Sequence, residues 1–309
     1  MTQTASITRI SSVPGNRQRL DGGAMFGNAP RALWAKLCPP DDENRISLSC
    51  RALLVERGDQ RILFETGIGL FFAPLLRQRF GVFEDEHVLL TSLAALGLSD
   101  ADITHVVLSH LHFDHAGGLL CPYEAGQPLR LLFPRARFVV SQAALERAEH
   151  PHARDRASFI PELPGLLRQS GRLHVIPDRR AEDASLPGLR FHYSDGHTPG
   201  LMLTEVLGQP PANSADAEVS DGAGSLTFLG DLVPGSAWVH LPMTMGYDRF
   251  PELLIDEKTA LLGALLQRRG RLFFTHDLDV AMATLEQRAD GRFVATQLVR
   301  DADLVRRPL

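Results

Sequence analysis

Three histidines and an aspartate crowd into six residues, His110-Leu111-His112-Phe113-Asp114-His115. Imidazole and carboxylate groups suit zinc and similar borderline divalent ions. Residues two apart on an extended segment share a face, so His110 and His112 can grip one ion. Asp114 and His115 follow a turn and can point toward a second. One short motif therefore begins two sites. Three further ligand types stand alone at the ends of apolar runs. They are His197 in Asp195-Gly196-His197-Thr198-Pro199-Gly200, Asp231 after Phe228-Leu229-Gly230, and His276 in Phe273-Phe274-Thr275-His276-Asp277. Taken singly, such a residue is more often a turn or capping group. Beside the six-residue motif they read as ligands on loops carried by rigid strands.

Strands must deliver these groups. The run Val106-Val107-Leu108-Ser109 feeds the motif, and Ala116-Gly117-Gly118 follows it. Apolar and β-branched runs predict strands over 48–56, 61–65, 104–109, 137–141, 173–176, 189–193, 201–206, 225–229 and 271–275. Helical periodicity predicts helices over 88–98, 142–149 and 251–269, the last opened by Pro251. Segments 281–288 and 293–299 flank Asp290-Gly291 as a closing hairpin. The Pro- and Gly-rich stretch 208–224 reads as a surface loop. The pattern is α+β: two sheets packed together with helices outside, a four-layer αββα sandwich. Residues 1–44 read as an N-terminal extension and 45–309 as the main domain. The extension's large apolar residues need cover on the domain or on a partner subunit, which is compatible with a homodimer.

Composition narrows the class. Across 309 residues, hydrophobic content is 44%, charged content 22% and net charge −5. This suits a globular protein and argues against a nucleic-acid footprint. Three cysteines without Cys-x-x-Cys spacing give neither a disulfide framework nor a zinc ribbon. Residues 1–19 lack an apolar leader, and no run approaches the ~18 apolar residues of a membrane span. A cytoplasmic location without membrane contact is expected.

With His110-x-His112-x-Asp114-His115, Gly196-His197-Thr198-x-Gly200, Gly230-Asp231 and Thr275-His276-Asp277, the chain resembles the metallo-β-lactamase-fold hydrolases over about residues 45–298. That resemblance implies two divalent ions, zinc foremost. His110, His112 and His197 would hold one ion, Asp114, His115 and His276 the other, with Asp231 bridging. Leu20-Asp21-Gly22-Gly23-Ala24-Met25-Phe26-Gly27, Pro40-Asp41-Asp42-Glu43-Asn44-Arg45-Ile46 and Met245-Gly246-Tyr247-Asp248 look like the quorum-quenching lactonase branch. The implied reaction opens an N-acyl-homoserine lactone ring by attack of a hydroxide held between the ions. Asp114 would shuttle the proton to the leaving alkoxide.

Two positions depart from the family pattern. Glu65-Thr66-Gly67 stands where Asp-Thr-Gly is usual, and that residue normally supports a ligand from behind. Some lactonases carry Tyr three positions after the bridging Asp; Pro234 is there instead, with Tyr247 as a substitute by geometry. Met25, Phe26, Trp34, Phe71, Phe72, Trp238, Met243 and Met245 are candidate walls for an acyl chain. Phosphotriester, aryl-ester or thioester hydrolysis on the same centre is the alternative, because a fold does not fix a substrate. A diiron redox protein of this fold generally has Glu where His112 stands, which counts against that class. No Gly-x-Ser-x-Gly elbow supports serine hydrolysis.

Overall fold

The computed structural model describes residues 8–208 and 224–309, so the loop expected at 208–224 lies almost wholly outside the described residues. One sheet has seven strands, in the order Arg307–Pro308, Arg9–Val13, Ala52–Arg57, Gln60–Phe64, His105–Val107, Arg137–Ser141 and Leu173–Ile176. The other has six: Phe293–Val299, Met282–Gln287, Arg271–Phe273, Leu226–Phe228, Leu201–Val206 and Leu189–Ser194. Successive side chains on a strand point to opposite faces, and here both faces are apolar. Leu53, Val55, Ile62, Phe64, Val107 and Val139 meet Phe191, Met202, Leu226, Phe228 and Phe273 between the sheets. Their neighbours Leu54, Leu63, Val106, Phe138 and Val140 turn outward, against Leu89, Leu93, Leu145 and Leu167 of three helices. Leu201, Leu203 and Leu272 turn outward on the second sheet, against Leu254, Leu261, Leu262 and Leu265 of helix Pro251–Arg268. The four expected layers follow from this alternation. No helix among the described residues is long and apolar enough to cross a membrane.

A boundary at residue 44 does not divide this fold. Arg9–Val13 lies within the seven-stranded sheet, antiparallel to Ala52–Arg57 on one side and to Arg307–Pro308 on the other. Gln18–Asp21 pairs with Arg45–Leu48 as a two-stranded ribbon. Between them, Met25, Phe26 and Trp34 join the outer core of the second sheet. What reads in sequence as an extension is therefore partly a sheet strand and partly a cover packed on its own domain.

Arg51 ties the two ends of the described chain to the second sheet. It is fully buried. Its Nε and Nη2 reach both oxygens of Asp301, at 2.8 and 3.0 Å. Its Nη1 donates to the carbonyls of Phe274, Asp277 and Val280. Asp301 also accepts from Ser12. Removing a buried member of such a pair strands its partners. Arg51→Ala is expected to lower unfolding free energy by roughly 3 kcal/mol, read as a shifted urea midpoint. An unchanged midpoint would show that the loop at 274–280 is held by other contacts.

Candidate metal centre

The site forms at the carboxyl ends of parallel strands, where α/β sheets leave open crevices. Gln60–Phe64, His105–Val107 and Arg137–Ser141 run parallel, and their loops share one side of the sandwich. The backbone is extended at His112 (φ −65°, ψ 152°) and then turns into the short helix Phe113–Ala116. That change of geometry sends His110 and His112 to one place and Asp114 and His115 to another. The second sheet contributes from the parallel pair Leu226–Phe228 and Arg271–Phe273, followed by Asp231 and His276. His197 comes from the turn between Leu189–Ser194 and Leu201–Val206.

All seven groups converge. His110, His112, His197 and Asp231 have ligand atoms within 4.8 Å of one another, as do Asp114, His115 and His276. His112 Nδ1 lies 3.3 Å from His197 Nε2. His115 Nε2 lies 3.2 Å from His276 Nε2. Asp231 stands between the groups: Oδ2 is 3.2 Å from His197 Nε2 and 3.3 Å from His115 Nε2, and Oδ1 is 3.2 Å from His276 Nε2. His110 Nε2 is buried without a hydrogen-bond partner among the described residues. Converging imidazole nitrogens with carboxylates between them are a donor set for a divalent cation, and the residues present fit one.

The far sides of the rings are held by other groups. Glu65 Oε2 lies 2.8 Å from His115 Nδ1, and its other oxygen accepts from Ser109 Oγ, which is 2.9 Å from His110 Nδ1. One carboxylate thus supports rings in both groups. The Glu65 backbone takes φ +62°, a left-handed conformation that carries strain in a non-glycine residue. Backbone bonds from Glu65 N to Val107 O and from Thr66 N to His115 O hold it there. A methyl at Gly118 would sit 2.0 Å from Thr66 O, so only glycine lets the loop after the motif lie against this stretch. His197 Nδ1 meets Asp248 Oδ1 at 2.9 Å, and His276 Nδ1 meets Ser49 O at 2.7 Å. Such partners orient an imidazole and choose its tautomer.

Burial, then repulsion from neighbouring imidazoles, pushes His110 and His112 well below the usual histidine range. Burial opposes charge on His115 too, but Glu65, Asp231 and Asp114 outweigh it and hold the ring well above that range. His276 is raised likewise, chiefly by Asp231, and His197 by Asp231 and Asp248. Asp231 is driven well below the carboxylate range: burial works against this, and His115, His276 and His197 prevail.

A cavity of about 150 Å³ opens onto the cluster. Met25 and Met245, two of the expected wall residues, line it, and so does Tyr247. Other expected wall residues lie elsewhere. Phe26 is stacked between Trp34 and Trp238, all three buried, and Met243 and Trp238 face a separate cleft of about 670 Å³. Phe71 and Phe72 pack in the core beneath the first sheet. An apolar side chain and its place in the chain do not say which face it takes. Leu20, Phe80, Phe113, Ala157 and Ser158 complete the wall and were not legible as such. Pro234 supports the site through its backbone, accepting from His276 N at 2.8 Å.

A family model described as the metallo-beta-lactamase superfamily matches residues 47–276. An N-acyl homoserine lactonase from a Bacillus species is 26% identical over 287 residues, 89% of this chain and 95% of that protein. A probable metal-dependent hydrolase from Staphylococcus aureus superposes with TM-score 0.78 at 24% identity, covering 96% of this chain and all of that one (100%). AidC, a dizinc quorum-quenching lactonase solved with a homoserine product, superposes with TM-score 0.69 at 20% identity, covering 94% and 95%.

Glu65, Asp231, Asp114 and Asp248 favour protons on the His115, His276 and His197 rings in the ion-free protein. An incoming cation must displace them. Cation uptake is therefore expected to release protons and to weaken as pH falls. Calorimetry in buffers of different ionisation enthalpy would read the release. Affinity constant between about pH 6 and 8 would contradict it.

Proposed function

The chain belongs to the metallo-beta-lactamase superfamily and is a metallo-hydrolase related to lactonases, and from that premise we propose that it opens the ring of an N-acyl-homoserine lactone with two divalent ions, most simply zinc. The observation that carries this reading is Asp231 placed between two histidine groups at the floor of a small, largely apolar cavity. His110, His112 and His197 would hold one ion and Asp114, His115 and His276 the other, with Asp231 shared. When bound, the ions supply Lewis acidity toward water and toward the ester carbonyl.

The protein's own groups do the rest. Leu20, Met25, Phe80 and Met245 shed water from an acyl chain and orient the ring. Tyr247 is 40% exposed at the rim. Loss of hydration, with the charges on Asp114 and Asp21, pushes its hydroxyl up to about 12. It therefore stays protonated at neutral pH and can donate to a carbonyl oxygen as charge develops there. Asp114 lies in reach of the same cavity and can pass a proton to the leaving alkoxide.

Turnover of lactones of several acyl lengths, beside a paraoxon-type triester and an aryl ester, tests the reading. Lactone opening should dominate, vanish on chelation and return with zinc. His112→Ala and Asp231→Ala should abolish it in folded protein. Activity confined to the esters would keep the centre and discard the lactone. Tyr247→Phe should lower kcat by roughly 10- to 100-fold, at the modest end for losing one donor to a developing charge; an unchanged kcat would make Tyr247 a wall residue only.

A further inference from the structure

Among the side chains around the cluster, Gln18 belongs to no motif. It lies on the ribbon strand Gln18–Asp21 and is fully buried. Its Nε2 donates to Asp114 Oδ2 at 2.8 Å, across a separation of 96 residues. The orientation of the amide is fixed by chemistry, since its oxygen would repel the carboxylate. Gln18 Oε1 is consequently turned away, buried and without a hydrogen-bond partner among the described residues. Methionine would occupy the same volume and strand no polar atom. Packing alone does not account for a glutamine here.

We propose that Gln18 is a positioning residue for ion binding, fixing the rotation of the Asp114 carboxylate toward the group it forms with His115 and His276; this rests on the two-ion reading above. A carboxylate rotates within a broad energy well, so a single held oxygen decides where the other points. The support is stiff, because Gln18 pairs in register with Leu48 on the facing strand. Ser49, the next residue, takes the His276 Nδ1 bond through its carbonyl. One ribbon thus sets two members of the group, while Glu65 sets the third, His115.

Calorimetric titration of the ion-free full chain with zinc tests this, alongside thermal melting of the ion-free form. Wild type should take up two ions. Gln18→Met should weaken one dissociation constant by about 10- to 100-fold, leave the other unchanged, and leave the ion-free melting temperature unchanged or higher. In an Asp114→Ala background the same substitution should add no further loss. Both constants unchanged, or both weakened alike, would overturn the proposal. If Gln18→Met does not fold, Gln18→Asn, whose amide is one methylene too short, should show the same selective loss; two tight sites in it would overturn the proposal equally. Uptake of a single ion by wild type would instead refute the two-ion reading, and the role of Gln18 with it.

Discussion

Five imidazoles and two carboxylates drawn into two adjoining groups, nearly all of them buried, is the constraint on which the rest of this structure depends. Ring nitrogens facing each other at 3.2–3.3 Å repel when both lone pairs are bare, and protonating both rings sets charge against charge. The fold resists this from behind. Glu65 and Ser109, Asp248 and the Ser49 carbonyl each take the outer nitrogen of a ring. Glu65 is in turn fixed by its backbone bond to Val107, Ser49 by one to His276, and Asp248 by its bonds with Met245. Rigidity supplied by the sheets is spent at one mouth of the sandwich, where the local arrangement is least favourable.

The chemistry was legible because it is concentrated. Six residues carry four candidate donors, and the remaining three each end an apolar run. Strands 137–141 and 201–206 could be bounded from side-chain type because both faces of each are buried, so the apolar run and the strand coincide. Arg9–Val13 and Arg307–Pro308 could not, because their pairing is decided by partners far along the chain. The cavity wall was legible only in part for a related reason. Phe26 and Phe71 look alike to Met25 and Phe80 in sequence, and only the packed elements decide which ring faces a core and which a cavity. Gln18 gave no signal at all, since a glutamine three residues from an aspartate is ordinary until the carboxylate it meets is known.

The stretch Leu20 to Asn44 shows how local turn chemistry reaches the cavity. Asp21 caps the short helix Gly22–Phe26 by accepting from Ala24 N at 2.8 Å, and Asn44 Nδ2 holds the other oxygen at 2.9 Å. A side chain at Gly22 would collide with the Trp34 ring, 2.4 Å away. Capped helix and tryptophan then press Phe26 against Trp238, whose indole nitrogen donates to Met25 O at 3.0 Å. Met25 is left with its side chain at the cavity. A motif that resembles a signature of activity is, residue by residue, the scaffold for one wall.

Arg51 carries an implication for how the protein comes into being. The carbonyls it holds flank His276, and the carboxylate that holds it, Asp301, is among the last described residues. On a ribosome the chain emerges from its amino end, so Asp301 leaves the exit tunnel after every donor of the cluster. Until then Arg51 lacks its counter-ion, and the loop bearing His276 lacks its anchor. The six-residue motif is translated long before, so its donors spend much of synthesis without the groups that complete their cage. Anchoring of the full donor set is thereby deferred until the segment bearing Asp301 has emerged.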